Sequence, residues 1–160
     1  MGSLGEKLHA AQAVGLDSAI FIYYFEEHPR YQALCAEAFD LMEAGAIQTV
    51  TSVITFIEVL TQPLAKGEQK LYSRYEQYLR FGPSLTLRSL DPDLALRAAQ
   101  LRARYQIRTP DAIQLAAAIE FGAHLFLTND DRLRKVTEIE VIVLERWLQQ
   151  QTPPQTDEET

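Results

Sequence analysis

Asp17 closes the apolar run Ala13-Val14-Gly15-Leu16, and Asp130-Asp131 follow a second apolar run from His124 to Leu127. Asp111 stands in Thr109-Pro110-Asp111, ahead of an Ala-rich segment, and Glu58 interrupts the otherwise apolar stretch Val53 to Leu60. Each Asp has a plain structural use. Asp17 suits a helix N-cap, Asp130 and Asp131 suit a turn, and Asp111 suits the first turn of a helix dipole. Glu58 is harder to explain in that way. On a helical projection Thr51, Thr55, Glu58 and Gln62 fall at offsets of 0, 4, 7 and 11, a single narrow polar line. The line is either a thin exposed strip or one wall of a wet cleft, and the rest of that helix reads as buried on most sides.

Carboxylates gathered in one cleft repel each other and would retain protons. A divalent cation removes the conflict, and hard oxygen donors suit Mg²⁺ or Mn²⁺. Mg²⁺ keeps several waters, which leaves room for a phosphate oxygen and an attacking water. The chemistry expected of such a cleft is metal-assisted hydrolysis of a phosphodiester.

The elements that must position these acids alternate along the chain. Strand character is expected over 13–16, 46–50, 84–88, 124–127 and 139–143, with helices between. Helical patterns cover 18–27, 31–44, a stretch capped by Thr51 or Ser52 and ended by Pro63, 68–81, 92–105 and the segment from 109 to Gly122. Asp91-Pro92 and Thr109-Pro110 are helix starts, and Gly45 suits a left-handed helix end. Asp130 to Lys135 reads as a turn or short helix. Short, nearly all-apolar strands separated by helices imply a parallel sheet covered on both faces. In such folds ligands sit outside the carboxyl ends of the strands. Those ends are Asp17, Thr51-Ser52 and Asn129-Asp130-Asp131.

At these residues the chain resembles the PIN-domain family, in particular ribonuclease toxins of the VapC type. The matching motifs are Gly15-Leu16-Asp17-Ser18-Ala19, Thr51-Ser52-Val53-Ile54-Thr55-Phe56-Ile57-Glu58-Val59, Thr109-Pro110-Asp111-Ala112-Ile113-Gln114-Leu115-Ala116-Ala117-Ala118 and Phe126-Leu127-Thr128-Asn129-Asp130. They stand in the family's order, between about Val14 and Leu144. The resemblance implies a three-layer α/β/α domain with a central parallel sheet and a metal-dependent nuclease site. It implies Asp17, Glu58, Asp111 and Asp130 as catalytic, metal-holding acids, with Mg²⁺ or Mn²⁺ as the cofactor. Ser18, Thr128, Asn129 and Asp131 would support them. It also implies an RNA substrate with exposed bases, a cognate antitoxin protein from a type II toxin–antitoxin pair, and a homodimer. The alternatives are an RNA-processing nuclease that is no toxin, or a PIN fold kept only as a silent protein-binding module.

Other readings fit less well. A phosphoacceptor domain needs an Asp at the end of the second strand, where Thr49-Val50-Thr51 stands. A haloacid-dehalogenase phosphatase needs a second Asp two residues after the first, and Asp17-Ser18-Ala19 lacks it. There is no Gly-x-Ser-x-Gly elbow and no Gly-rich phosphate loop. His9, His28 and His124 lie in unrelated contexts and have no zinc spacing. Cys35 falls on the apolar side of an amphipathic helix with Tyr31, Leu34, Ala38 and Leu41, and reads as core. Tyr72, Tyr75, Tyr78 and Phe81 crowd one helix as a core stripe or a partner surface.

The 160 residues carry a formal net charge of −7 and are 47% apolar. These values suit one folded domain over 13–148, after a leader or short helix over 1–12 and before a disordered acidic tail over 149–160. No apolar run is long enough to span a bilayer, and a lone thiol suits a reducing cytoplasm. The acidity argues at first against a nucleic-acid partner. Its distribution answers that: seven acids are the tail residues Asp157, Glu158 and Glu159 plus the four site acids. Residues 66–108 hold nine Lys and Arg against four acids. Within that island Arg97 and Arg104 share a helical face and are the RNA-binding candidates.

Overall fold

The computed structural model describes residues 2–152. Five strands, β1 (Ala13–Leu16), β2 (Gln48–Ser52), β3 (Leu85–Arg88), β4 (Leu125–Thr128) and β5 (Glu140–Val143), form one wholly parallel sheet in the order β3-β2-β1-β4-β5. Eight helices surround it among the described residues. They are α1 (Leu4–Ala11), α2 (Ser18–Phe25), α3 (Gln32–Glu43), α4 (Ile54–Lys66), α5 (Gln69–Phe81), α6 (Pro92–Tyr105), α7 (Thr109–Phe121) and α8 (Leu144–Gln151). A 3-10 turn spans Asp131–Lys135.

The strand order explains the layers. From β1 to β3 the chain steps outward in one direction, so right-handed crossovers put α2 to α5 on one face. The return from β3 to β4 passes back over β2 and β1, so α6 and α7 cover the other. The two buried clusters follow this division. Phe21, Phe25, Cys35, Phe39, Tyr75 and Leu79 fill the first. Leu94, Leu101, Ile113, Leu115 and Ala116 fill the second. This is the three-layer α/β/α architecture expected of the sequence.

α7 is the central helix of its layer. Every residue from Asp111 to Ala118 is buried. Its Ala side chains let it lie close on the sheet, and Gly15 of β1 is the point of closest approach. A Cβ there would come within 2.5 Å of the Ala118 Cβ and 3.0 Å of the Phe126 ring.

Several elements depart from expectation. Pro63 does not end its helix. α4 continues to Lys66 and stops at Gly67, whose φ of +69° gives the left-handed closure. There Glu68 N–H donates to the Pro63 carbonyl at 2.9 Å and Gly67 N–H to that of Leu64 at 3.3 Å. The proline forfeits one N–H near the helix end, and the glycine decides where the helix stops. α4 is also less buried than its composition suggests, since Ile57 is 65% and Leu64 58% exposed. For residues 1–12 the short-helix alternative is what the structure has. Ser3 caps α1, and Leu4 and Leu8, one turn apart, are fully buried in the core. α8 has no counterpart among the expected elements, and it takes in Gln149 to Gln151, which read as tail. The remainder of that expected tail, 153–160, lies outside the described residues. Cys35 is buried, which pushes its thiol up to about 12.

Candidate functional site

The outward steps begin at β1 and the return ends at β4, so these neighbouring strands flank the topological switch point. In open parallel sheets that crevice is where a ligand fits. Asp17 follows β1 and Thr128-Asn129-Asp130 end β4, so both acidic motifs flank one opening. A cleft of about 330 Å³ lies there, lined by Asp17, Ser18, Tyr23, Glu58, Arg108, Asp111, Thr128, Asn129, Asp130 and Asp131 among others. The structure thus brings all four candidate acids to one cavity.

Asp17 is one of the two buried acids, 8% exposed like Asp111. It extends the β1–β4 ladder through its N–H to the Leu127 carbonyl at 3.0 Å, then caps α2. Its Oδ1 accepts from Ser18 N–H at 2.8 Å, and its Oδ2 accepts from the Thr128 hydroxyl at 2.6 Å. Both donors are neutral. Burial, followed by the nearby carboxylates of Asp111 and Glu58, pushes the Asp17 carboxyl from 3.8 up to about 6 against the pull of these hydrogen bonds. Thr128, fully buried, serves both acidic motifs, since its Oγ also accepts from Asp130 N–H at 3.1 Å.

Glu58 reaches the cleft from the exposed side of α4. Partial burial and Asp111 raise its carboxyl, while Ser18 and Arg108 oppose the shift. The polar line of the sequence has two parts. Its inner members anchor the helix. Thr51 Oγ and Thr55 Oγ are 2.7 Å apart, and Thr51 also donates to the Leu16 carbonyl at 2.9 Å. Neither Thr51 nor Ser52 is the N-cap of α4: that position is Val53, without a side-chain cap bond, and Ser52 Oγ accepts from Ile54 N–H at 3.2 Å across the turn before the helix.

Gln114 stands in the third motif, and sequence reasoning gives it no role. It is 2% exposed, and its amide joins three elements. Oε1 accepts from Ser52 N–H at 3.0 Å, and Nε2 donates to Thr55 Oγ at 2.7 Å. This clamps the first turn of α4, and Glu58 lies one turn further on. The available signal is a lone amide inside an otherwise apolar stretch of α7, three residues after Asp111.

Asp111 and Asp130 are held differently from Asp17. Arg108 Nε donates to Asp111 Oδ2 at 3.1 Å. Arg132 grips Asp130 through Nε at 3.0 Å and Nη2 at 2.7 Å, which holds the Asp130 carboxyl below the usual range. Asp130 also caps the 3-10 turn by accepting from Arg132 N–H at 3.0 Å. Asp131 turns toward α8, pairing with Arg146 and, at 3.6 Å, with Arg134. Asn129 acts as a staple, accepting from Glu145 N–H of α8 at 2.9 Å and donating to the Tyr23 hydroxyl at 3.2 Å.

The expected cations lie elsewhere. Arg97 and Arg104 do not line the cleft, and Arg104 is tied to Glu138 at 2.7 Å. The island is partly neutralised in the same way by the Arg80–Glu76 and Arg88–Asp91 pairs. Arg108 is the arginine that lines the cleft, and Arg132 stands beside it, bonded to the cleft's Asp130; nothing in their local sequence marks either of them.

The donor set fits a hard divalent cation: carboxylate and hydroxyl oxygens, with neither sulfur nor imidazole among them. Asp17, buried and bonded only to neutral donors, is where a dication would supply the missing counter-charge. As the side chains stand, no three His, Cys, Asp or Glu among the described residues are grouped tightly enough to hold an ion. Two of the acids face arginines instead.

The chain belongs to the PIN-domain family, whose pattern it matches over residues 14–139. No curated protein matches it. Among the solved structures that share its fold are the following three. A toxin–antitoxin complex from Klebsiella pneumoniae aligns at TM-score 0.62 and 23% identity, covering 82% of this chain and 96% of the other. VapBC2 from Rickettsia felis, bound to a DNA fragment from its promoter, aligns at 0.66 and 17%, covering 82% and 98%. DNA-bound VapBC from Salmonella typhimurium aligns at 0.64 and 17%, covering 83% and 98%.

Proposed function

We propose that this protein is a metal-dependent endoribonuclease, the toxin of a type II toxin–antitoxin pair. The observation that carries the reading is the gathering of Asp17, Glu58, Asp111 and Asp130 at one cleft on the switch point. There the buried Asp17 carboxylate has only neutral hydrogen-bond partners. Asp17, Glu58, Asp111 and Asp130 would hold Mg²⁺ or Mn²⁺, directly or through water. Such an ion lowers the pKa of water and offsets charge developing on phosphorus.

The chain's own residues do the rest. Ser18 and Thr128 fix the Asp17 carboxylate, so its lone pairs are aimed before a ligand arrives. Glu58, at the rim with its carboxyl already raised, is suited to accept a proton from water entering the cleft. Asn129 holds Tyr23 at the mouth, where an unstacked base of single-stranded RNA can lie against the ring.

The toxin part of the reading draws on the fold shared with toxin–antitoxin structures and on surface chemistry. Ile57 and Leu64 of α4 and Phe81 of α5 (79% exposed) leave apolar surface for a protein partner. The partner would be an antitoxin, with a homodimer as the second assembly and the cytoplasm as the place of action. No helix among the described residues is long and apolar enough to cross a membrane.

The test is cleavage of single-stranded RNA by the purified protein in Mg²⁺ or Mn²⁺. Activity lost in chelator and in Asp17→Asn supports the reading. Full activity in either overturns the site. Co-purification with the product of a neighbouring small gene tests the toxin assignment.

A further inference from the structure

We propose that Arg108, Arg132 and Lys135 form a phosphate subsite beside the acid cleft, which takes a backbone phosphate of single-stranded RNA next to the one cleaved. This rests on the nuclease reading for the identity of the chain bound, and adds to it the direction in which that chain leaves the cleft.

A second, smaller pocket of about 50 Å³ adjoins the cleft and shares Arg108 and Asp111 with it. Arg132 and Lys135 complete its charged lining, and Ile107 and Leu133 form its apolar floor. A pocket of this size suits a phosphate group and not a base with its sugar. Three cations from two separate segments meet there, with one carboxylate, Asp111, on the side facing the cleft.

The mounting is firm, and the charged ends are exposed with donors to spare beyond their bonds to Asp111 and Asp130. Ile107 and Leu133 are 5% and 1% exposed, so the residues beside Arg108 and Arg132 are anchored in the core. Arg102 Nε donates to the Ile107 carbonyl at 3.1 Å, fixing the turn before Arg108. The Arg132 N–H is held by Asp130. The guanidinium-bearing side chains are nevertheless 64% and 66% exposed. Pairs so exposed contribute little, and they leave donors unused. Arg108 gives Asp111 only its Nε, which keeps both terminal nitrogens available. The Asp111 carboxylate raises the Arg108 guanidinium, and Arg132 lies near enough to oppose that shift by repulsion. Lys135 has no ion pair among the described residues. Two guanidiniums and an ammonium crowded at one small concavity match a phosphate, which arginine binds through paired N–H donors. Bonds of this kind set the register of a nucleic-acid chain without reading its sequence.

The experiment uses the metal-free protein in chelator and a fluorescent single-stranded RNA hexamer, titrated at several salt concentrations. Arg108→Gln/Arg132→Gln/Lys135→Gln is expected to weaken binding about tenfold or more. It should also flatten the dependence of log affinity on log salt by roughly 0.7 for each phosphate no longer neutralised. Lys135→Gln alone, an exposed change that leaves both acid–arginine pairs in place, should give a smaller loss in the same direction. Unchanged affinity and slope in both variants overturn the subsite, as does absence of RNA binding by the wild type. A polyglutamate chain of equal charge that competes as well as RNA would also overturn it. Wild-type protein that binds through these cations yet never cleaves in Mg²⁺ or Mn²⁺ supports the subsite and overturns the nuclease reading.

Discussion

Asp17 and Asp130 end neighbouring parallel strands, and Thr128 touches both, yet they are held in opposite ways. Asp17 is buried among a hydroxyl and an amide, and its carboxyl is pushed up to about 6, mainly by burial. Asp130 is shared with Arg132, and its carboxyl is held low. One side of the cleft therefore has negative charge without a counter-ion, and the other has its charges matched within the chain. An incoming dication gains most at the first side, and an incoming phosphate at the second. On the proposed function the division would give the cleft a polarity, with Asp17 and Glu58 on the side of the metal and Arg108 and Arg132 on the side of the substrate backbone.

Replacing each acid in turn would sharpen that contrast. Asp17→Asn should lower the rate of RNA cleavage by about 10³-fold or more, as loss of a central charge-stabilising group does. Asp130→Asn, whose charge is already matched, should cost about tenfold to a hundredfold. Single-turnover rates at saturating Mn²⁺ measure both. Equal losses would erase the proposed polarity.

The metal-free protein offers a second way to break the comparison. A carboxyl raised by folding favours the folded state at low pH, and that contribution is lost as pH rises from about 4 through about 6. Asp17 ionised at neutral pH should therefore destabilise the fold by about 3 kcal/mol at most, from its shift of 3.8 to about 6. Asp17→Asn should be more stable than wild type by up to this amount at pH 7, with the gap closing toward pH 4. Denaturant melts of both proteins in chelator measure it. A gap that widens on acidification would contradict the assignment.

Gln114→Leu should destabilise by about 1–3 kcal/mol, because it strands Ser52 N–H in the core and takes one of two partners from the Thr55 hydroxyl. It should also lower cleavage more than Thr61→Ala, a change on the exposed side of α4, since Gln114 clamps the first turn of α4, one turn before Glu58. The smallest effect is expected of Asp131→Asn. Its partners, Arg146 and Arg134, are about half exposed, so stability should barely change. Thermal melting checks it.

Much of this arrangement is legible in the sequence because it follows from chain order. Apolar runs ending in acids mark the carboxyl edge of a parallel sheet, and Asp17 and Asp130 fall there without reference to packing. What escapes depends on partners far away in sequence. Gln114 bonds to residues about 60 positions earlier, so nothing local reveals its use. Arg108 and Arg132 read as ordinary surface charge until the fold brings them to the cleft. α8 is held by Asn129 and by Arg30 and Tyr31, which grip Glu145 at 2.7 Å. Its own residues give only Leu144, Trp147 and Leu148 as apolar signal. For α1, two buried leucines make too short a pattern to separate a helix from a loose leader.

The central claim is that the acid cleft hydrolyses RNA with a divalent cation centred on Asp17. The most direct measurement is cleavage of single-stranded RNA by wild type and Asp17→Asn across a Mn²⁺ or Mg²⁺ titration, with far-ultraviolet dichroism verifying both folds. The account predicts metal-dependent cleavage by wild type and none above background for the folded variant at any metal concentration. Cleavage by wild type in excess chelator, or by the variant at the wild-type rate, would contradict it.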